Sequence, residues 1–149
     1  MPRLSIALAR TRGFTLIELV VVITILGILA AFAVPRFVAL QTKAREAAIQ
    51  SLSGAVRSAS TLTHSMWLAT GQPATVPMEG ATITMTNGYP DLTTIVNTLV
   101  DSSGFAYDST TGQFTKTGAT TPATCSVNYT PPGLAGQPPA IAFDISNCS

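Results

Sequence analysis

The chain has 149 residues, a length that suits one domain plus an anchoring segment. With 46% apolar and only 10% charged residues it is too apolar for a disordered chain and too weakly charged for a typical small soluble enzyme. The net charge of +1 rests on Arg3, Arg10 and Arg12; without residues 1–13, five basic residues face seven acidic ones, a balance near −2 that argues against a nucleic-acid surface.

Residues 1–13 hold three arginines and no acid. From Phe14 to Val34 the chain runs FTLIELVVVITILGILAAFAV, and Glu18 is its one charge. As a helix this run is about 31 Å long, enough to cross a hydrocarbon core. The arginines before it predict a cytoplasmic N-terminal side and place the rest of the chain outside. A secretory signal peptide would have a shorter apolar core followed by a small-residue cleavage site. A plain signal anchor explains the length and the arginines but not Glu18, because an acid inside a membrane helix is costly and marks a functional partner.

The stretch Gly13-Phe14-Thr15-Leu16-Ile17-Glu18, followed by Leu19-Val20-Val21-Val22-Ile23, resembles the class III signal of type IV prepilins and pseudopilins. The resemblance implies cleavage between Gly13 and Phe14 by a prepilin peptidase and methylation of the new Phe14 amine. It assigns Glu18 to neutralising the N-terminal amine of a neighbouring subunit during assembly. It also marks Gly27 and Pro35 as the ends of a stretch that can lose helical hydrogen bonding. Independently, proline removes one helical hydrogen bond and glycine weakens a helix by about 1 kcal/mol. Arg36-Phe37-Val38-Ala39-Leu40-Gln41, Lys43-Ala44-Arg45 and the later Gly88-Tyr89-Pro90 are most similar to the mannose-sensitive haemagglutinin (MSHA) group of these pilins.

Beyond Pro35 the helical pattern continues. Leu52, Ala55, Val56, Ala59, Leu62, Met66 and Ala69 recur every three or four residues, and Gly71 with Pro73 ends the run. One helix from Phe14 to about Thr70 is expected, apolar in its first half and amphipathic in its second. The second half needs a sheet to cover its stripe.

The remainder supplies that sheet. Residues 82–86 alternate and Asn87-Gly88 follows as a turn. Residues 91–102 read as a short helix, with Leu92, Ile95, Val96, Leu99 and Val100 on one face and Asp91 as N-cap. Strands are expected at Phe105–Tyr107, Gln113–Lys116, around Cys125, Val127 and Tyr129, and around Ile141, Phe143 and Ile145. A proline- and glycine-rich loop over residues 130–139 joins the last two. Two cysteines in a small exported domain favour one disulfide, Cys125–Cys148, tying these segments together.

The expected fold is therefore α+β: a pilin fold with one long N-terminal helix packed on a small antiparallel sheet and a C-terminal disulfide loop. The parts are a leader (1–13), a membrane or filament-core helix (14–35), its amphipathic continuation (36–70) and a β-rich head (71–149).

Candidate chemistry is sparse. His64 has no second ligand or nucleophile at motif spacing. Asp101, Ser103 and Asp108 could suggest calcium, but their spacing is not that of an EF-hand. Trp67 reads as a packing residue. No metal, cofactor or enzyme activity is expected. The expected partners are identical or related pilin subunits, the prepilin peptidase, an inner-membrane assembly platform and, before assembly, the membrane. The expected place is the bacterial inner membrane and then an extracellular pilus serving surface attachment. A secretion pseudopilin and a minor pilin for DNA uptake are the alternatives.

Overall fold

The computed structural model describes residues 13–149 apart from residue 79. The predicted leader lies, but for Gly13, outside the described residues. The chain divides after Phe37 into two compact units.

The first unit contains the start of helix α1, which spans Leu16–Ala69. Its side chains from Phe14 to Phe37 are all exposed, and its most apolar window has a mean hydropathy of 2.8 with none of it buried. A helix apolar on every side finds no partner in its own chain and requires lipid or other helices. Length and composition suffice for it to cross a membrane. The Thr24 hydroxyl donates to the Val20 and Val21 carbonyls (2.7 and 2.9 Å), so this polar group is satisfied within the helix.

In the second unit, Val38–Ser149, the rest of α1 is covered by antiparallel strands. Strands β1 (Thr75–Met78), β2 (Ala81–Thr86) and β3 (Tyr89–Pro90) form one sheet in that order. Strands β4 (Phe105–Asp108), β5 (Gln113–Lys116), β6 (Ser126–Thr130) and β7 (Ala140–Asp144) form a second in sequence order. The core joins Ile49, Leu52 and Val56 of α1 to Ile95, Phe114, Val127, Tyr129 and the two cysteines. Phe114 pairs with Val127, so alternation turns both toward the helix and turns Gln113, Thr115 and Asn128 to the opposite face.

The helix ends where predicted. Gly71 and Gln72 take positive φ (84° and 64°), and Gln72 N–H donates to the Trp67 carbonyl (2.9 Å), a left-handed C-terminal cap. The buried face of α1 differs from the predicted stripe. It is Ile49, Leu52, Ser53, Val56, Ser60 and Thr63, while Ala55, Leu62 and Ala69 are exposed. Small hydroxyl residues take the inward positions where the helix approaches the sheets, and Thr63 returns its hydroxyl to the Ala59 carbonyl (2.9 Å).

The Asn87-Gly88 turn is a two-residue hairpin between β2 and β3 with both residues at positive φ (52° and 89°). Residues 91–102 do not form the predicted helix. Only Ile95–Thr98 makes a short 3-10 turn, and Val100 is fully exposed. The β-branched run Thr93-Thr94-Ile95-Val96 resists helix, and the Asp91 carboxylate instead holds Thr93 and Thr94 N–H (3.1 and 2.8 Å) in a turn. Strands β1 and β3 were not predicted; each is short and contains a proline.

Candidate functional site

The first described residues form a local device. Gly13, Phe14 and Thr15 are non-helical and exposed, and the helix begins at Leu16. Thr15 is its N-cap: the hydroxyl accepts from Glu18 N–H (3.3 Å), and the Thr15 carbonyl accepts from Leu19 N–H (3.3 Å). Glu18 reaches back, and its Oε2 accepts both Thr15 N–H (2.9 Å) and the Thr15 hydroxyl (2.7 Å). This is a reciprocal capping box of the T-x-x-E pattern. Sequence reasoning singled out Glu18 as a functional acid and missed its partner, although the signal was there in Thr15-Leu16-Ile17-Glu18.

The box explains how an acid can stand in this segment. The carboxylate takes two donors from its own chain, and its negative charge sits at the positive end of the helix dipole. What it offers chemically is an anionic oxygen pair four residues behind Phe14, on a segment that carries no other charge from Phe14 to Val34.

Gly27 and Pro35 both lie within the continuous helix. A methyl added at Gly27 would meet nothing within 4 Å in this chain. Pro35 has no N–H, so the Ala31 carbonyl four residues earlier loses its helical donor.

The disulfide joins Cys125 to Cys148 with Cα atoms 4.9 Å apart, and both cysteines are buried in the core. Around it Arg45 donates to the Cys148 carbonyl (3.1 Å), Thr120 N–H to the Ser149 carbonyl (2.7 Å) and Asn147 N–H to the Thr124 carbonyl (3.3 Å). The C-terminus is thus fastened both to α1 and to the segment before β6.

The other candidates are structural in place. His64 stacks on Tyr89 (centroids 4.2 Å apart, 4° between planes), and its Nδ1 donates to the Gly88 carbonyl (2.6 Å). Trp67 also stacks on the histidine (centroids 5.5 Å apart, 26° between planes) and donates to the Pro73 carbonyl (2.9 Å). Asp101 and Asp108 each close a turn, with Ser103 N–H (2.7 Å) and Thr110 N–H (2.8 Å) respectively. Ser103 N–H and hydroxyl hold the Asp101 carboxyl below its ordinary pKa, and the Thr110 hydroxyl and N–H do the same for Asp108. Their oxygens are engaged locally, and among the described residues no group of three or more His, Cys, Asp or Glu could hold a metal ion.

Residues 8–34 match the family described as the prokaryotic N-terminal methylation motif. Over 50 residues the chain is 58% identical to the type IV narrow pilus major component PilA5 of Thermus thermophilus, covering 34% of this chain and 43% of that protein. Over 37 residues it is 54% identical to the type IV major pilin protein PilA of Myxococcus xanthus, covering 25% of this chain and 17% of that protein. Its N-terminal segment is that of the type IV pilin/prepilin family. The matches span less than half the length of either relative. No solved structure matches the chain. The pilin-type helix and the disulfide-closed antiparallel head together give the architecture that the sequence predicted.

Proposed function

We propose that the chain is the structural subunit of an MSHA-like type IV pilus that serves surface attachment. Prepilin peptidase cuts the Gly13–Phe14 bond and methylates the Phe14 amine. The helix from Phe14 then holds the subunit in the inner membrane, with residues 38–149 outside the cytoplasm. Related subunits and an inner-membrane assembly platform move it from the membrane into an extracellular filament. The observation that carries this reading is Glu18, the one charge in an otherwise uncharged, exposed helical segment directly behind a non-helical Gly13–Phe14 bond.

The mechanism follows from what lipid and helix packing demand. In the membrane the Thr15 donors satisfy Glu18. In the filament core a neighbouring Phe14 ammonium supplies a full opposite charge, and that pairing fixes axial register because an uncompensated charge in an apolar core is strongly unfavourable. Gly27 and Pro35 let the helix between them stretch as subunits slide into place.

The Glu18→Ala variant tests the reading. It should remain in the membrane fraction, be cleaved at Gly13, and yield few or no filaments by electron microscopy of sheared cells. Abundant filaments of normal morphology from that variant would refute the assembly role. Mass spectrometry of wild-type filaments should find a methylated Phe14 at the N-terminus.

A further inference from the structure

The Asn87-Gly88 corner of the β2–β3 hairpin holds a reactive pair that filament assembly does not use. An asparagine side-chain amide can be attacked by the backbone nitrogen of the next residue, and a glycine there leaves that nitrogen unshielded because it has no Cβ. Asn87 is the asparagine of this chain that precedes a glycine; Asn97, Asn128 and Asn147 precede Thr98, Tyr129 and Cys148. Asn87 is also exposed, so water reaches its side chain.

The fold keeps the pair from reacting. Asn87 Nδ2 donates to the Pro132 carbonyl (2.8 Å), 45 residues away in sequence. Gly88 is buried against Trp67, where an added Cβ would lie 2.8 Å from the ring, and its carbonyl accepts from His64 Nδ1 (2.6 Å). Both turn residues hold positive φ (52° and 89°), and Thr86 pairs with Tyr89 across them, so neither can rotate alone. Ring closure requires Asn87 to leave Pro132 and swing its Cγ onto the Gly88 nitrogen. The same bond ties the proline-rich loop to the hairpin. Pro132 is buried whereas residues 133–138 are exposed, and Gln137 N–H bonds within the loop, to the Leu134 carbonyl (3.4 Å).

We infer that Asn87 is a self-modification site latched by Pro132: the chain converts it to aspartate or isoaspartate when residues 130–139 lift from the hairpin, and the conversion keeps them lifted. The Gly88 nitrogen loses its proton to hydroxide and bonds to Asn87 Cγ. The Cγ–Nδ2 bond breaks, and the nitrogen leaves as ammonia with a proton from water. Water then opens the succinimide at one carbonyl to give aspartate, or at the other to give isoaspartate. In sum, water is consumed and ammonia released, with no change of oxidation state. Both products put carboxylate oxygens where the amide donor stood, and a carboxylate cannot donate to the Pro132 carbonyl. Isoaspartate also adds a carbon to the main chain, which a two-residue hairpin turn cannot absorb without losing the Thr86–Tyr89 pairing. Opening permits the reaction, and the reaction blocks reclosing. The site is a property of the folded chain and stands apart from the filament reading.

The test is peptide mapping by mass spectrometry of the full-length chain in detergent, aged at fixed pH with and without urea. Aspartate and isoaspartate should accumulate at Asn87 and not at Asn97, Asn128 or Asn147. Conversion should be at least about tenfold slower in the folded chain than in urea, because the reactive state is a local opening. Pro132→Gly keeps the carbonyl but removes the buried ring and frees the backbone, and should speed conversion severalfold in the folded chain. Asn87→Asp carries the product charge without the reaction. It should raise amide hydrogen exchange at residues 133–137 roughly fivefold, the loss of one ordinary hydrogen bond. No conversion at Asn87 in urea removes the reactive site. Equal rates with and without urea, or a folded Pro132→Gly that converts at the wild-type rate, remove the latch. If Pro132→Gly does not fold, exchange in Asn87→Asp decides: unchanged exchange at residues 133–137 overturns the coupling between turn and loop.

Discussion

Replacing both cysteines, Cys125→Ala with Cys148→Ala, measures what the cross-link contributes to the second unit. The bond joins residues 23 apart in sequence and closes a loop that contains β6, the proline-rich loop and β7. For a loop of this length the chain-entropy relation gives about 3.5 kcal/mol at room temperature. Alanine keeps both positions apolar, so the substitution removes the link while preserving most of the buried character of the site. At roughly 2 cal/mol/K of unfolding entropy per residue, that loss lowers the Tm of a unit the size of Val38–Ser149 by about 15 °C. Circular dichroism melts of the full-length chain in detergent check this, with dithiothreitol-reduced wild type as the second route to the same state. The two routes should agree within about 1 kcal/mol, since they differ only in two sulfur atoms. A fall below about 3 °C by both routes would refute the loop-closure argument. It would mean that the Arg45, Thr120 and Asn147 hydrogen bonds hold the C-terminus in place without the bond.

Phe114→Ala empties a fully buried position between β5 and α1 and should cost about 3–5 kcal/mol in chemical denaturation. Gly112→Ala should cost at least about 2 kcal/mol, because Gly112 has φ 75° and an added methyl would lie 2.7 Å from Leu92 Cδ2 and overlap the Tyr129 carbonyl; a melt matching wild type would refute that geometry. Burial pushes the Tyr107 phenol up to about 12, so the folded state holds this proton more tightly than the unfolded one. Its contribution is complete below about pH 10 and is lost as pH rises from there toward about 12, so denaturant midpoints should fall across that window and Tyr107→Phe should flatten the fall. The turn carboxylates Asp101, Asp108 and Asp144 are shifted the other way, and their contribution disappears as pH falls below the ordinary aspartate range.

Much of the architecture was legible because it is written in strong local patterns. The apolar run, the Gly71-Pro73 stop and the Asn87-Gly88 turn each demand one backbone solution. The strands β4 to β7 lie within a residue or two of their predicted positions because they alternate over four or five residues. What escaped has physical causes. The inward face of α1 contains Ser53, Ser60 and Thr63, and periodicity of apolar residues cannot reveal a face chosen for small size. Residues 91–102 carry a helical spacing, but local Asp91–threonine hydrogen bonds and β-branched side chains outweigh it. Strand β1 pairs with β2 although Pro77 breaks its pattern, because a proline is tolerated on an edge strand. At the candidate site the acid was legible as a charge in an apolar run. Its threonine partner was less legible because Thr15 carries no charge and stands outside the apolar periodicity, and only the T-x-x-E spacing marks it as a cap.

The capping box makes a separate demand on the proposed assembly mechanism. Glu18 cannot wait in the membrane as a bare charge, and Thr15 is the residue that satisfies it there. Any pairing with an incoming ammonium therefore replaces existing hydrogen bonds rather than filling a vacancy. Thr15→Ser keeps the hydroxyl and should behave as wild type. Thr15→Val has nearly the same shape but removes the hydroxyl's two bonds, and losing an N-cap of this kind costs a helix about 1 kcal/mol. Amide hydrogen exchange at residues 16–19 should accelerate roughly fivefold in Thr15→Val and be unchanged in Thr15→Ser. If exchange is the same in all three chains, the box does not hold the helix start. Filament yield separates cap from charge: Thr15→Val keeps the carboxylate and should still assemble, whereas Glu18→Ala should not. Equal loss of filaments in both variants would mean that the cap, not the ammonium partner, is what assembly requires of Glu18.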